Sequence, residues 1–268
     1  MKIGIVGNVA KIKDEQVIKT LTEQLQERGF ETVRFSSHLQ IDGVSVVIVL
    51  GGDGAILHAA TVAALKGIRI VGVNYGNVGF LTEFERNELE QVVPLLEEFR
   101  AGNCNILHRS ILKTTVEGEE YYALNEIALQ RDYASGLMDN PQILKLLVSA
   151  GAGEIPIAGD GALLATPTGS TAYSLSAGGA IVAPEVPVVL LTPICAFSMS
   201  ARPMVFSDED KFCFEVKKGK ALLLVDGKTV AVLTEKDSIC VQKAQFTAEF
   251  LTRKEKCFFT KIKNKLNG

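Results

Sequence analysis

The chain has 268 residues, 47% hydrophobic and 22% charged, which is enough apolar material for one large domain or two modest ones. Its formal net charge of -3 excludes a general nucleic-acid or anionic-membrane binder, whose affinity would rest on basic surface. A site for a polyanion must therefore use local cations, backbone amides and metal.

Met1-Lys-Ile-Gly-Ile-Val-Gly7 opens a strand, Lys2 to Val6, rather than a signal peptide, and no apolar stretch reaches membrane-spanning length. A helix follows, striped by Val17, Leu21 and Leu25 and ended by Arg28-Gly29. Glu31 to Phe35, Val44 to Leu50 and Ile68 to Val73 read as further strands. Val44 to Leu50 is nearly continuous in β-branched residues, the pattern of a strand buried on both faces of a parallel sheet.

That strand runs into Gly51-Gly-Asp-Gly54, and Ala55 to Leu65 continues with helical composition. Strand, glycine turn and helix bring a ligand's phosphates against bare backbone at the carboxyl edge of a sheet. The side chain offered there is the Asp53 carboxylate, which repels phosphate. It makes sense if Asp53 orients or deprotonates a hydroxyl nucleophile, or meets phosphate through Mg²⁺. The alternative is a Gly-Asp turn whose acid favours the helix dipole; three glycines in four residues weigh against it. Glu88 to Arg100 reads as another helix, kinked or broken at Pro94.

After Gly102 the rhythm changes to short strands. Asn105 to Val116, Tyr121 to Leu129, Gln142 to Val148, Ile155 to Ala158 and Leu163 to Thr166 come first. Val188 to Thr192, Phe212 to Val216, Ala221 to Val225, Thr229 to Leu233, Ile239 to Val241 and Phe246 to Phe250 follow, with Lys217-Lys-Gly-Lys220 as a hairpin turn. The predicted fold is an N-terminal Rossmann-like α/β domain over 1–102, joined by the tail at about 251–268, with a mostly-β, sandwich-like domain over 103–250.

Thr166-Pro-Thr-Gly-Ser-Thr-Ala-Tyr173 is the most informative stretch. Four hydroxyls, a Pro and a Gly arrive where the buried strand Ala162-Leu-Leu-Ala165 should emerge. Ser170 to Ala177 then reads as the opening of a helix, with a hydroxyl at the N-cap and Gly178-Gly179 to end it. Hydroxyls and free amides at a helix N-terminus suit an oxygen-rich ligand, whereas an ordinary capped turn needs only one or two of these residues. Cys104, Cys195, Cys213, Cys240 and Cys257 are odd in number and widely spaced, which predicts reduced cytosolic thiols and no zinc site.

Gly51-Gly-Asp-Gly54, Val73 to Thr82, Asn125-Glu126, Gly159-Asp-Gly161, Thr166 to Tyr173 and Asp226-Gly-Lys228 occur in the order found in NAD kinases. The chain resembles that family, in its bacterial type, from Met1 to roughly Val241. The glycine-Asp-glycine element alone is shared with lipid kinases and phosphofructokinases; the Thr-Pro-Thr-Gly block is far more specific. The resemblance implies transfer of the ATP γ-phosphoryl group to the 2′-hydroxyl of the adenosine ribose of NAD, giving NADP. It implies Mg²⁺ or another divalent cation with ATP, a cytoplasmic enzyme, and a homodimer or homotetramer with no nucleic-acid or membrane partner.

By resemblance, Asp53 is the catalytic aspartate. Gly54, Phe80, Asn125, Glu126, Thr168, Thr171, Ala172, Tyr173, Ser174 and Ser176 match NAD-contacting positions. Asp160 matches an acid that helps hold the dinucleotide, often from a neighbouring subunit. Gly51, Gly52, His58 and Lys228 match phosphate or nucleotide contacts, with His58 where the family more often has Arg. His38 and His108 have no ligand-like partners at useful spacing. Without the resemblance, Asn125-Glu126 reads as a turn, and Phe80 and Tyr173 as core.

Besides His58, the chain departs from the family at four places. Ala55 replaces a usual Thr, Ala158 stands for a larger polar residue, Ala196-Phe197 stands for Pro-His, and Lys228 replaces a frequent Gln. These put nucleotide preference and regulation in question, but leave Asp53, Asn125, Glu126 and Thr171 to Tyr173 intact. Two rivals are a lipid kinase, which lacks a reason for the Thr166 block, and a dinucleotide sensor without turnover, which lacks a reason for Asp53.

Overall fold

The structure, a computed structural model, describes residues 1–7, 15–76, 79–133, 143–198, 201–253 and 258–266. Parts of the Val73 to Thr82 block (77–78), of Gln142 to Val148 (142), of the Ser198 to Pro203 motif (199–200) and of the basic tail (254–257, 267–268) lie outside these residues, as does Cys257. The chain forms two compact units, residues 1–109 with 246–268, and residues 110–245.

In the first unit, β1 (Lys2–Gly7), β2 (Glu31–Phe35), β3 (Val46–Gly51) and β4 (Arg69–Asn74) are parallel neighbours in the order β2-β1-β3-β4. α1 (Glu15–Glu27) links β1 to β2, burying Ile18, Leu21 and Leu25, and Gly29 leaves it at φ 74. The order reverses between β1 and β3, so the loop leaving β3 opens at the switch point of a doubly wound sheet. Every residue of β3 is buried, which accounts for its unbroken apolar run. α2 (Asp53–Leu65) follows, burying Ile56, Leu57, Ala59, Ala60, Ala63 and Ala64.

Two expectations need correction in this unit. The helix break comes before Pro94: a 3-10 turn, Arg86–Gln91, gives way to α3 (Val92–Arg100), in which Pro94 is the third residue. An amide there would have no partner within the helix, so proline removes no helical hydrogen bond. The run from Asn105 to Val116 is also two strands. Of these, β6 (Asn105–Arg109) pairs antiparallel with β19 (Ala248–Thr252), and β19 lies beside β4. The unit boundary therefore falls after Arg109 rather than Gly102, and the returning segment begins at 246 rather than 251.

Arg253, just past β19, fastens this return. Its guanidinium lies 4.6 Å from the Phe84 ring centroid and meets Glu83 at 3.1 Å and Glu88 at 3.1 Å. The last helix, α5 (Phe258–Leu266), is tied to the same place by Lys261, whose ammonium donates to the Thr82 carbonyl at 3.0 Å.

The second unit is a sandwich of two antiparallel six-stranded sheets. One has the order β11-β10-β15-β18-β7-β8, from β7 (Leu112–Val116), β8 (Glu119–Ala123), β10 (Leu144–Ala150), β11 (Gly153–Gly159), β15 (Phe212–Lys218) and β18 (Ser238–Lys243). The other has the order β14-β13-β12-β9-β16-β17, from β9 (Glu126–Arg131), β12 (Gly161–Ala165), β13 (Val188–Ile194), β14 (Met204–Ser207), β16 (Ala221–Val225) and β17 (Lys228–Leu233). Leu112, Leu146, Phe212 and Phe214 of the first share one core with Ile127, Leu129, Leu164 and Leu223 of the second. Strand alternation supplies these inward faces.

Lys217 to Lys220 is not a hairpin, because β15 and β16 belong to different sheets; Gly219, at φ 91, turns the chain from one layer to the other. The helix expected from Ser170 is one turn, α4 (Tyr173–Ser176), preceded by a 3-10 turn, Thr168–Thr171. Ala172, at φ -105 and ψ -127, breaks the two apart. The expectation of reduced thiols fails at two of the cysteines: Cys213 and Cys240, opposite each other on β15 and β18, form a disulfide, whereas Cys104 and Cys195 are free. Sequence spacing is blind to pairing across strands 27 residues apart. No helix among the described residues is long and apolar enough to cross a membrane.

Candidate active site

In the first unit the glycine turn is built by close backbone approach. A Cβ on Gly51 would stand 2.7 Å from the Ala55 Cβ, and one on Gly76 would stand 3.1 Å from the Gly52 Cα. Gly52 caps α2 without a side chain, and Asp53 is the first helical residue. Its carboxylate reaches the loop after β4: Oδ2 accepts the Phe80 amide at 2.9 Å and Oδ1 the Leu81 amide at 2.9 Å. Two amides thus fix the plane of the carboxylate. Gly54 is exposed, and a Cβ there would meet nothing within 4 Å.

One turn on, His58 is exposed and its ring stacks on that of His38, with centroids 5.5 Å apart and planes at 22°. Spacing along the chain offers His38 no ligand-like partner; the 3-10 turn at His38–Gln40 brings it against α2. Burial, and secondarily the His58 ring, hold the His38 imidazole below its usual pKa. His108 lies elsewhere, its Nδ1 3.2 Å from the Thr247 hydroxyl.

In the second unit the break between β8 and β9 is held open by Asp226. Its carboxylate accepts the amides of Leu124 at 2.8 Å, Asn125 at 2.8 Å and Glu126 at 3.1 Å. Asp226 and Gly227, at φ 47 and 77, form the tight turn between β16 and β17, where an Asp-Gly pair suits two positive φ angles. From the other side the Thr166 block clamps the same break: Thr166 Oγ1 donates to the Leu124 carbonyl at 2.6 Å, and the Thr166 amide donates to the Asn125 carbonyl at 2.8 Å. A Cβ on Gly169 would lie 2.2 Å from the Asn125 carbonyl oxygen, so only glycine admits this approach.

Glu126 emerges from the clamp 6% exposed. It accepts the Tyr173 amide, and its Oε2 is buried with no hydrogen-bond partner among the described residues. Burial, and after it the Asp226 charge, raises its carboxyl to about 7. A buried, unpartnered carboxyl oxygen is costly unless a ligand completes it. The Tyr173 phenol is half-buried and its pKa is raised by burial, then by nearby Cys195, Asp160 and Glu126, so these groups converge. Asp160 carries an ion pair to Arg131 at 3.5 Å and a hydrogen bond from Tyr133.

The remaining predicted residues divide by burial. Thr168 is buried; Thr171 is half-buried with its hydroxyl on the Thr168 carbonyl at 3.2 Å; Ala172 donates its amide to Gly169 at 2.9 Å; Ser176 is exposed. Ser174 is fully buried, with its hydroxyl 2.9 Å from that of Thr192, an internal pairing that holds α4 on β13. Lys228 is exposed at the start of β17. Two departures meet, since the Phe197 amide donates to the Ala158 carbonyl at 2.8 Å and the Phe197 ring is exposed. Sequence reasoning missed the roles of Asp226, Arg131 and His38; the Asp-Gly turn between two apolar runs was a usable signal for the first.

Residues 7–101 match the ATP-NAD kinase N-terminal domain and residues 113–252 the ATP-NAD kinase C-terminal domain. The chain belongs to the NAD kinase family. It is 32% identical to the NAD kinase of Heliobacterium modesticaldum over 98% of both chains. It is 34% identical to that of Ruminiclostridium cellulolyticum over 99% of this chain and 97% of the relative. Among solved structures it is similar in fold to yeast NADH kinase complexed with NADH, with a TM-score of 0.85 at 24% identity over 100% of this chain and 87% of that one. An NAD kinase from Archaeoglobus fulgidus in complex with ATP gives a TM-score of 0.81 at 25% identity over 100% and 99%.

Proposed function

We infer that this NAD kinase transfers the γ-phosphoryl group of ATP to the 2′-hydroxyl of the adenosine ribose of NAD, forming NADP. Membership of the family over nearly the whole chain supports the reaction. The observation that carries the mechanism is the Asp53 carboxylate, presented at the end of a buried strand and fixed by the Phe80 and Leu81 amides.

We assign Asp53 to the 2′-hydroxyl. Where a phosphoryl transition state is loose, the acceptor proton leaves late, so a fixed carboxylate works chiefly by orienting the hydroxyl and taking its proton as the bond forms. We assign Asn125, Glu126 and Tyr173 to NAD, together with Phe80, Asp160, Thr168, Thr171, Ala172 and Ser176. Ser174 supports α4 from beneath. Protonated Glu126 can donate from its open Oε2, and ionised Glu126 can accept there. Gly51, Gly52, Gly54, His58 and Lys228 belong to phosphate or nucleotide binding.

A divalent cation fits as an ion carried in by the nucleotide. Among the described residues no three His, Cys, Asp or Glu side chains converge as ligands, and Asp53 is a single carboxylate already engaged by amides. Such an ion, when bound, spreads the charge of the phosphates. The family resemblance also supports a cytoplasmic homodimer or homotetramer, which light scattering would resolve.

The test is NADP formation from NAD, ATP and Mg²⁺ by the purified protein and by Asp53→Asn. Turnover by the parent, with at least a roughly hundredfold loss in the variant, is expected. A folded parent that binds NAD but yields no NADP with ATP or polyphosphate would remove the kinase reading.

A further inference from the structure

The Cys213–Cys240 bond occupies the middle of a sheet rather than a loop. It joins neighbouring strands at one rung of the β15–β18 ladder, with β10 and β7 paired on either side. Phe212, Phe214, Ile239 and Val241 point into the core, so strand alternation turns both cysteines to the outer face, where each is half-buried.

Cys240 also lines a pocket of about 210 Å³ with Lys113, Thr114, Thr115, Lys211 and Gln242. Lys113 shares the Glu120 carboxylate with the Tyr122 hydroxyl, and the neighbouring Glu215 is paired with Lys217. Lys113 is thus itself neutralised by Glu120, and the exposed Lys211 supplies the positive charge at the pocket's rim. The volume lies below the roughly 300 Å³ of ordinary ligand sites, so it suits the end of one small molecule.

We propose that this pocket is a thiol–disulfide exchange site for a small, carboxylate-bearing thiol, with Cys240 as the sulfur attacked. The incoming thiolate bonds to Cys240 Sγ, the sulfur–sulfur bond to Cys213 breaks, and Cys213 leaves as the thiolate. A second thiolate attacks the mixed disulfide, releasing a small-molecule disulfide and leaving the Cys240 thiolate. Two electrons from two thiols reduce one bond. Lys211 favours entry of the anion and steadies the negative charge shared among the sulfurs, which assists exchange. The site is independent of the kinase reading and is tested without turnover.

Full-length protein, purified without reductant, is treated with glutathione or cysteamine at matched thiolate concentration, then alkylated and mapped by mass spectrometry. Glutathione should open Cys213–Cys240, and, offered glutathione disulfide, the free Cys240 thiolate of Cys213→Ser should form its mixed disulfide, releasing one glutathione thiolate, faster than Cys213 does in Cys240→Ser. Lys211→Gln should cut the glutathione-to-cysteamine rate ratio by about fivefold, as loss of nearby charge requires. Thermal melting checks that the variant is folded. Free Cys213 and Cys240 in the starting protein, exchange only in denaturant, equal trapping at both sulfurs, or an unchanged rate ratio would each overturn the proposal.

Discussion

Asp226 holds the backbone of Glu126 and disturbs its side chain with the same carboxylate. Oδ1 accepts the Glu126 amide at 3.1 Å, and the charge on that group adds to burial in raising the Glu126 carboxyl to about 7. The raised value means that the folded protein binds a proton the unfolded chain releases. Glu126 therefore contributes stability below its ordinary pKa of 4.5 that is lost as pH rises through about 7.

Glu126→Gln should accordingly stabilise the protein at pH 8 by about 2–3 kcal/mol and leave it nearly unchanged at pH 4.5. The amide keeps an oxygen for the Tyr173 N–H. Chemical denaturation at the two pH values measures this, and an equal effect at both would exclude a raised Glu126. NAD affinity should fall in the variant at pH 8, where only the parent can present a carboxylate.

Gly169→Ala should be among the most damaging small substitutions. The new methyl would meet the Asn125 carbonyl oxygen at 2.2 Å, a backbone atom held by the Thr166 amide. Relief would require the clamp to open, at a cost of about 3 kcal/mol or more. Gly54→Ala, with open space around its Cβ, is the stability control. Similar melting temperatures for the two would contradict the clamp.

Arg253→Ala should cost about 2 kcal/mol, because Glu83, whose side chain is 4% exposed, loses its guanidinium hydrogen bonds but keeps the Lys261 ammonium at 3.8 Å. It also removes the face packed on Phe84. Urea unfolding would measure the loss; a change under about 0.5 kcal/mol would mean that the contact is only superficial.

His38 gives a dependence of opposite sign to Glu126. Its imidazole titrates below 6.5 in the fold, so the unfolded chain binds the proton first on acidification. The stability of neutral His38 is present above 6.5 and lost as pH falls below it. Relative to His38→Gln, the parent should lose melting temperature between pH 7.5 and 5.5. A difference that does not vary over that range would refute the stacked, half-buried imidazole.

The sequence made elements legible where local pattern decided them. Val46 to Leu50 reads as a doubly buried strand because nothing polar interrupts it, and the glycine turn after it follows from the same run. Asn125-Glu126 was legible only by resemblance, since locally it looks like a turn. What makes it a site is a carboxylate about 100 residues away, Asp226, capping three amides. Long-range pairing explains the other misses: β6 leaves the β-rich run to join β19, and Cys213 meets Cys240 across strands. The supposed helix after Ser170 failed because that hydroxyl bonds inward, to the Pro167 and Val182 carbonyls.

The position of β19 sets an order of assembly during synthesis. β6 pairs with β19 at the edge of the first unit's sheet, and β19 separates it from β4. When β6 leaves the ribosome its partner is still more than a hundred residues from being made. The sandwich of residues 110–245 is complete in the nascent chain before that partner exists. The unit translated first therefore finishes last, and until then the open flank of β4 is a strand edge for chaperones to shield.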